Sequence, residues 1–251
     1  MDEVVAVLAA QQSELAGVLE GLGDAGWRAP TRCEGWDVAD VVLHLAQTDE
    51  LAIASATGRF AEAAAALTAG LAPVGSVDAG AALMVQRQRG LAPAELRARW
   101  SSNAAALVEV LDAMDLSTRV TWVAGELSAR TLTTTRLAET WIHTGDVAGA
   151  LGVDLAPTDR LRLIARLAWR TLPYAFSSAQ RTLTGPVAFR LVSPGGEAWN
   201  FVPDEPPTTI ISGPAAELCA VAARRLEASA TTLRAVGPDG DAVLALVRTY
   251  A

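Results

Sequence analysis

The sequence predicts a mainly α-helical protein, with a helical bundle over residues 1–157 and a small α+β domain over residues 158–251. Two patterns predict this class. Apolar residues recur at helical spacing through the first half, and short β-type runs separated by turn signals appear only after Pro157. Because 51% of the 251 residues are hydrophobic, both parts can bury a core.

Four long helices are expected in the first part. Asp37 can cap the second of them together with Asp40, Pro93 suits the first turn of the third, and the fourth follows the threonines at 133–135. Residues 57–80 are rich in Ala and Gly and predict only a connection or a short helix. The four helical patterns cover about residues 2–22, 37–56, 93–114 and 136–151.

The second part alternates helical and β-type patterns. A helix is expected at about residues 158–172, Gly213-Pro214 opens another that extends to about Leu226, and Asp239 or Asp241 begins a terminal one. Between the first two helices, turn signals separate β-type runs that predict a hairpin-based sheet at residues 187–192, 198–202 and 208–212.

Composition excludes several function classes. The net charge is −8 and every basic residue is Arg, which argues against nucleic acid as a partner. No apolar run approaches the roughly 20 residues of a membrane-spanning helix.

The acidic start at Met1 lacks a signal-peptide pattern, and two distant cysteines are too few for a disulfide framework, so we expect a cytoplasmic protein with reduced thiols. Abundant Ala and Arg without Lys are typical of GC-rich coding and predict an actinobacterial source.

The two histidines are the most informative residues. His44 and His143 each fall in the middle of a predicted bundle helix, and Glu139 precedes His143 by four residues, one turn away on the same helical face. If the second and fourth helices are neighbours, His44 supplies a third ligand to a metal between them. The alternative is that these residues are ordinary buried or surface side chains, because a Glu-x-x-x-His pair also occurs by chance.

Two imidazoles and one carboxylate leave coordination positions open for water or substrate. The ligands alone do not choose the metal, because the same set serves zinc hydrolases and non-haem iron(II) enzymes. Asp146, three residues after His143, can either orient that ring as a hydrogen-bond acceptor or bind the metal directly.

Four segments carry a resemblance to a known family. Residues 32–45 (RCEGWDVADVVLHL) and 138–147 (AETWIHTGDV) resemble the mycothiol-dependent maleylpyruvate isomerase family, part of the DinB-like metal-binding four-helix bundles. Residues 192–199 (VSPGGEAW) and 211–219 (ISGPAAELC) are similar to the second domain of that family, which resembles sterol-carrier folds. The resemblance covers nearly the whole chain and is strongest to a subgroup of unassigned reaction.

The resemblance implies a site and a chemistry. His44, Glu139 and His143 match the three metal ligands of the family, which implies Zn²⁺, with Ni²⁺ and Fe²⁺ compatible with the same ligands. It further implies mycothiol as the thiol co-substrate, which adds to a cis double bond, allows rotation and leaves. The expected substrate is therefore a small electrophile or cis-unsaturated acid, handled by an isomerase or S-transferase that is a monomer or a homodimer.

Other residues near these motifs have weaker interpretations. Trp36 and Trp141 lie close to the ligands in sequence and are candidates for walls of a substrate pocket, or are simply packed. Arg224 matches an arginine of the family that could grip a carboxylate, or it only complements the end of its helix. Cys33 is either a fourth ligand or nucleophile or a packed small side chain, and it is interpreted as packed because it precedes the helix start by several residues; Cys219 is interpreted as a core residue.

Two other hypotheses for the function remain open from the sequence alone. The protein could be a non-catalytic module that binds a metal or a small ligand, with the C-terminal domain carrying an apolar molecule. The ligand types also permit an iron(II) oxygenase, although no co-substrate site for one is apparent in the sequence.

Overall fold

The computed structural model describes residues 1–70, 76–123 and 125–249, which divide into two compact units, Met1–Leu155 and Ala156–Ala251. The first is helical and the second mixes helices with a sheet, so the predicted mainly α class with an α+β C-terminal part is confirmed. Within the part of the chain that the structure describes, no helix combines the length and apolar character needed to cross a bilayer.

The first unit is built on a bundle of four long helices. Helix α3 packs against α6 and α7, and α1 packs against the same two helices from the opposite side. Shorter helices and one β-hairpin connect them. In chain order the elements are α1 (Glu3–Val18), α2 (Asp24–Trp27), α3 (Val38–Ala56), α4 (Phe60–Thr68), α5 (Val77–Gln88), α6 (Pro93–Ala113), β1 (Arg119–Trp122), β2 (Gly125–Ser128) and α7 (Ala129–Leu151).

Local signals explain where the bundle helices begin. Asp37 caps α3 by accepting from the Asp40 amide, and the Asp40 carboxylate accepts from the Asp37 amide, which is the predicted capping box. Helix α6 has Pro93 in its first turn, as expected. Apolar side chains from α1, α3 and α6, among them Leu15, Leu45 and Trp100, form the core beneath these helices.

The fourth long helix begins earlier than predicted. It starts at Ala129 rather than after Thr135, because Ser128 caps it by accepting from the Thr131 amide. Thr133, Thr134 and Thr135 lie inside the helix and donate their hydroxyls to the carbonyls four residues earlier, at 2.8–2.9 Å. A threonine cluster was therefore a wrong signal for a helix start, since these side chains satisfy themselves along the helix.

The connections of the first unit also hold more structure than predicted. The segment expected to be a connection or a single short helix contains α4 and the start of α5, while residues 71–75 lie outside the described residues. Strands β1 and β2 pair as an antiparallel hairpin that the sequence analysis did not predict. Ser76 caps α5 by accepting from the Ala79 amide, a start signal that the Ala- and Gly-rich composition masked.

The second unit contains a four-stranded sheet in the order β4-β3-β5-β6. Strands β3 and β4 form the expected hairpin, but β5 pairs with β3 in parallel, so the sheet is mixed rather than built only from hairpins. The elements in chain order are α8 (Leu161–Arg170), α9 (Leu172–Ser178), β3 (Val187–Val192), β4 (Ala198–Phe201), β5 (Thr209–Pro214), α10 (Ala215–Ala222), a 3-10 turn (Ala228–Ala230), β6 (Arg234–Val236) and α11 (Gly240–Leu246).

Two helix ends in this unit differ from the prediction. Helix α10 stops at Ala222 rather than near Leu226, because the backbone turns left-handed at Arg224, with φ of 59°. The helix expected at 158–172 is divided at Thr171 into α8 and α9, since Pro173 favours a fresh helical first turn. Cys219 is fully buried in α10, as expected.

Candidate metal centre

Neighbouring helices α3 and α7 bring the three predicted ligands together. His44 lies near the middle of α3, and Glu139 and His143 lie one turn apart in the middle of α7. The side chains of all three residues are buried. The sequence separates His44 from Glu139 by 95 residues, so only the packing of α3 against α7 makes them neighbours.

The Glu139 carboxylate lies between the two imidazoles. Its Oε2 is 3.3 Å from His44 Nε2 and 3.6 Å from His143 Nε2. The two rings meet edge to face with their centroids 5.0 Å apart. One ligand atom from each residue lies within 4.8 Å of the other two, so the three can reach a common point.

Burial and neighbouring charges set the protonation of this group. Burial lowers the pKa of His44, which favours the neutral ring. Burial opposes the charge on Glu139, but hydrogen bonding to His44 and the nearby positive charges of His143 and Arg136 bring its pKa down to about 2. Burial also opposes the charge on His143, but the hydrogen bonds to Asp146 and Cys33 and the charge of Glu139 raise its pKa to about 9.

A buried ion pair lies beside the glutamate. Arg136, one turn before Glu139 on α7, is 1% exposed, and its Nη2 is 3.0 Å from Asp49 Oδ1 on α3. The same guanidinium reaches Glu139 Oε2 at 4.0 Å and donates to Thr48 Oγ1 at 2.8 Å. Arg136 was not among the predicted site residues, although an Arg three residues before a candidate ligand on the same helical face was a usable signal.

Asp146 and Cys33 lie at the opposite edge of the His143 ring. Asp146 Oδ2 is 3.0 Å from His143 Nδ1, a hydrogen-bond distance, whereas Nε2 faces Glu139. The Cys33 thiol donates to the same Asp146 oxygen at 3.3 Å. Cys33 also packs against the bundle core, as expected, but its contact with Asp146 spans 113 residues and had no signal in the sequence.

Trp36 covers His44 from the loop that precedes α3. Its ring centroid is 5.2 Å from that of His44, and it also lines a cavity of about 650 Å³ together with Trp27, Asp40 and Arg89. Arg89 donates twice to the Asp40 carboxylate, at 2.8 Å each, and to the Gly35 carbonyl at 2.7 Å, which ties this loop to the start of α3.

The other two predicted residues lie elsewhere. Trp141 is half-buried on α7, but two residues correspond to about 200° of helical rotation, so it points to a different side of α7 from Glu139 and His143. Arg224 belongs to the second unit, where it is exposed and donates to the Ala245 carbonyl at 2.9 Å.

The geometry of the three ligands is compatible with a bound divalent cation. Donor atoms around a tetrahedral zinc lie about 3.4 Å apart, given Zn–N and Zn–O bonds near 2.0–2.2 Å. The separations of 3.3 and 3.6 Å between Glu139 Oε2 and the two Nε2 atoms are close to this spacing. His44 Nδ1 is buried without a hydrogen-bond partner in the described part of the chain, so no hydrogen bond at Nδ1 fixes this ring.

Comparison with known proteins supports the resemblance. Residues 8–148 match the family model for the mycothiol maleylpyruvate isomerase N-terminal domain. Two strains of Mycobacterium tuberculosis each contain an uncharacterized protein that is 33% identical over 248 residues, which cover 98% of this chain and 95% of the relative.

Two solved structures have the same fold. A crystal structure of the mycothiol-dependent maleylpyruvate isomerase superposes with a TM-score of 0.62 at 20% identity, covering 93% of this chain and 91% of the other. A mutant of that enzyme with one histidine replaced by alanine gives a TM-score of 0.61 at 20% identity, with 89% of each chain covered. At this identity the likeness establishes the fold, and it extends beyond the bundle into the second unit.

Proposed function

The chain belongs to the family of the mycothiol maleylpyruvate isomerase N-terminal domain, and from that premise we propose that it is a metal- and thiol-dependent isomerase or S-transferase. The observation that carries the proposal is the convergence of His44, Glu139 and His143 inside the bundle. A divalent cation held there, most reasonably Zn²⁺, has three protein ligands and open positions for a small thiol. Mycothiol is the proposed thiol, and the substrate is a small electrophile or a cis-unsaturated acid.

The charges around the site suit a divalent cation. Glu139, Asp146 and Asp49 contribute three negative charges and Arg136 one positive charge, so a cation of charge +2 with neutral histidines makes the group neutral. When bound, the cation lowers the pKa of a coordinated thiol and so favours the nucleophilic thiolate. Buried charges that balance in this way avoid the desolvation cost of an unpaired ion.

The neighbouring residues have distinct proposed roles. Asp146 accepts a hydrogen bond from Nδ1–H of His143. The Nε2 lone pair of that ring is then left to bind the metal. Arg136 holds Glu139 against α3 through its pair with Asp49. Trp36 lies over His44 and shields that face from water. None of these residues is proposed to exchange a proton with the substrate.

Isomerase and S-transferase activities share this site and differ only after the thiol adds to its acceptor. In isomerisation the thiol leaves after rotation about the former double bond, whereas in transfer the new C–S bond is retained. The relatives at 33% identity are uncharacterized, so the acceptor is a proposal at the level of chemical class.

Metal content and thiol binding test the proposal together. We expect the purified chain to hold one zinc ion, and His44→Ala and His143→Ala each to lose it with little loss of helicity. Mycothiol should bind only to the metal-loaded chain, with the formation of a thiolate. Turnover is then measured with maleylpyruvate as the cis-unsaturated acid and with an electrophile that retains the added thiol.

Gln47→Leu is the matched control, because Gln47 is also buried on α3 but donates to the Met84 carbonyl rather than to the site. This variant should keep its zinc. A wild-type chain that takes up no divalent cation would refute the enzyme proposal and favour the non-catalytic binding module instead. Zinc binding without any thiol binding would refute the thiol-dependent chemistry alone.

A further inference from the structure

Cys33, His143 and Asp146 form a second group of donor atoms at the Nδ1 edge of the His143 ring. Asp146 Oδ2 lies 3.0 Å from His143 Nδ1 and 3.3 Å from Cys33 Sγ. One ligand atom from each of the three residues lies within 4.8 Å of the other two. Glu139 faces the other nitrogen of the ring, so this group uses a different edge of His143 from the centre described above, although the two groups share that residue.

The donors are of three kinds, and their chemistry selects a class of cation. Thiolate sulfur favours soft or borderline cations, and imidazole nitrogen with one carboxylate is compatible with Zn²⁺ and Cd²⁺. Sulfur and oxygen ligands of a tetrahedral zinc lie about 3.5 Å apart, close to the observed 3.3 Å. The nitrogen and oxygen need to separate by about 0.4 Å from their hydrogen-bond distance, a small side-chain adjustment.

The three donor residues differ in how far they are buried. Asp146 and His143 are buried, whereas Cys33 is half-buried in the exposed loop before α3. The neighbouring Arg32 and Glu34 are exposed. Cys33 is therefore the most solvent-exposed of the three donor residues.

We propose that Cys33, His143 and Asp146 form a second cation site, one that takes a thiophilic divalent cation such as Cd²⁺. A neutral imidazole has a single lone pair, so a cation at Nδ1 leaves the ring proton on Nε2, pointing toward Glu139. The two sites are therefore alternatives that share His143. The second site does not rest on the proposed function, because it stands even if the first group binds nothing.

The test uses the full-length chain, reduced and stripped of metal, and titrates it with Cd²⁺ alone. Binding is followed by the ultraviolet absorption of the cadmium–thiolate bond. We expect this band to saturate at one Cd²⁺ per chain and to be lost in Cys33→Ser and Cys33→Ala. Cys219→Ala is the matched control and should keep the band, because Cys219 is fully buried in α10.

A second comparison separates this site from the first. His44→Ala removes a ligand of the first group only, so the cadmium–thiolate band should persist, while Cys33→Ser should still take up Zn²⁺. Absence of the band in the wild-type chain, its survival in both Cys33 variants, or its loss in His44→Ala would overturn the proposal. Failure of the proposed function would instead appear as Zn²⁺ uptake that His44→Ala does not reduce, in a chain that still develops the Cd²⁺ band.

Discussion

The two nitrogens of His143 have different partners, and this division determines how metal binding should depend on pH. With a pKa of about 9, the ring is protonated at neutral pH in the metal-free chain, so a cation must displace one proton. Glu139, with a pKa of about 2, is already charged, and His44, whose pKa is lowered by burial, is already neutral.

Zinc affinity should therefore rise about tenfold per pH unit between about pH 7 and pH 9 and then level off. Calorimetric titrations in two buffers of different ionisation enthalpy should count about one proton released per ion near neutral pH. An affinity that does not change over this range would mean that His143 is not a ligand.

Asp146 should strengthen metal binding through the hydrogen bond it accepts from His143 rather than by contact with the ion. Asp146→Asn removes the carboxylate charge from the Nδ1 edge of the ring, so we expect zinc affinity to fall by about 10- to 100-fold. Competition with a chromophoric chelator measures the change, and Asp78→Asn, at an exposed position on α5, should have no effect. Complete loss of zinc would identify Asp146 as a direct ligand instead.

The site residues that lie on a single helix could be predicted from the sequence, and those that come from other elements could not be placed by spacing alone. Glu139, His143 and Asp146 share a face of α7, and helical periodicity alone groups them. Cys33 and Asp49 join the site only through contacts across 87 or more positions in the sequence, and no local pattern records such contacts. His44 was proposed on the condition that the second and fourth helices are neighbours, and the family resemblance supported that pairing, which spacing alone does not establish.

At the scale of elements, the capping box of α3 holds the start of the helix that carries His44. Asp37→Ala removes the side chain that accepts from the Asp40 amide, so we expect the free energy of unfolding to fall by about 1 kcal/mol. Urea denaturation followed by circular dichroism measures this loss. Glu34→Ala, in the exposed loop before α3, should stay within about 0.5 kcal/mol of the wild type, and an equal loss in both variants would contradict the capping role.

Helices α3 and α7 are also linked by the buried pair of Arg136 and Asp49. Arg136→Met leaves Asp49, which is 0% exposed, without its partner, so stability should fall by about 3–5 kcal/mol. The double variant Arg136→Met with Asp49→Leu should recover most of that loss, because Asp49 then no longer leaves an unpaired buried charge. A double-mutant cycle from urea denaturation gives the coupling, and additive losses would show that the pair does not link the helices.

The features of the elements that the sequence missed have two different physical causes. The threonines of α7 hydrogen-bond to their own helix, and strand β5 chooses a parallel neighbour through tertiary pairing. A strong local signal, the capping box at Asp37, predicted the start of α3 correctly. Local side-chain contacts therefore predicted the start of α3 correctly but misled at α7, where they lie inside the helix, whereas the pairing of β5 depends on distant packing.

At the scale of the whole molecule, all three proposed ligands belong to Met1–Leu155, whereas Ala156–Ala251 has its own sheet and core. A cation that binds only the folded first unit stabilises it by mass action, by about 2.7 kcal/mol when its free concentration is 100 times the dissociation constant. The gain should be local, because the ligands hold α3 against α7 and contribute nothing to the strands.

Hydrogen exchange followed by mass spectrometry on the full chain tests this locality. Zinc should slow amide exchange in α3 and α7, while exchange in β3 and β5 should stay unchanged. His44→Ala is the control, since it should show no zinc-dependent protection in either unit. Equal protection of both units would mean that they unfold as one cooperative body, and protection confined to the second unit would place the metal outside the bundle.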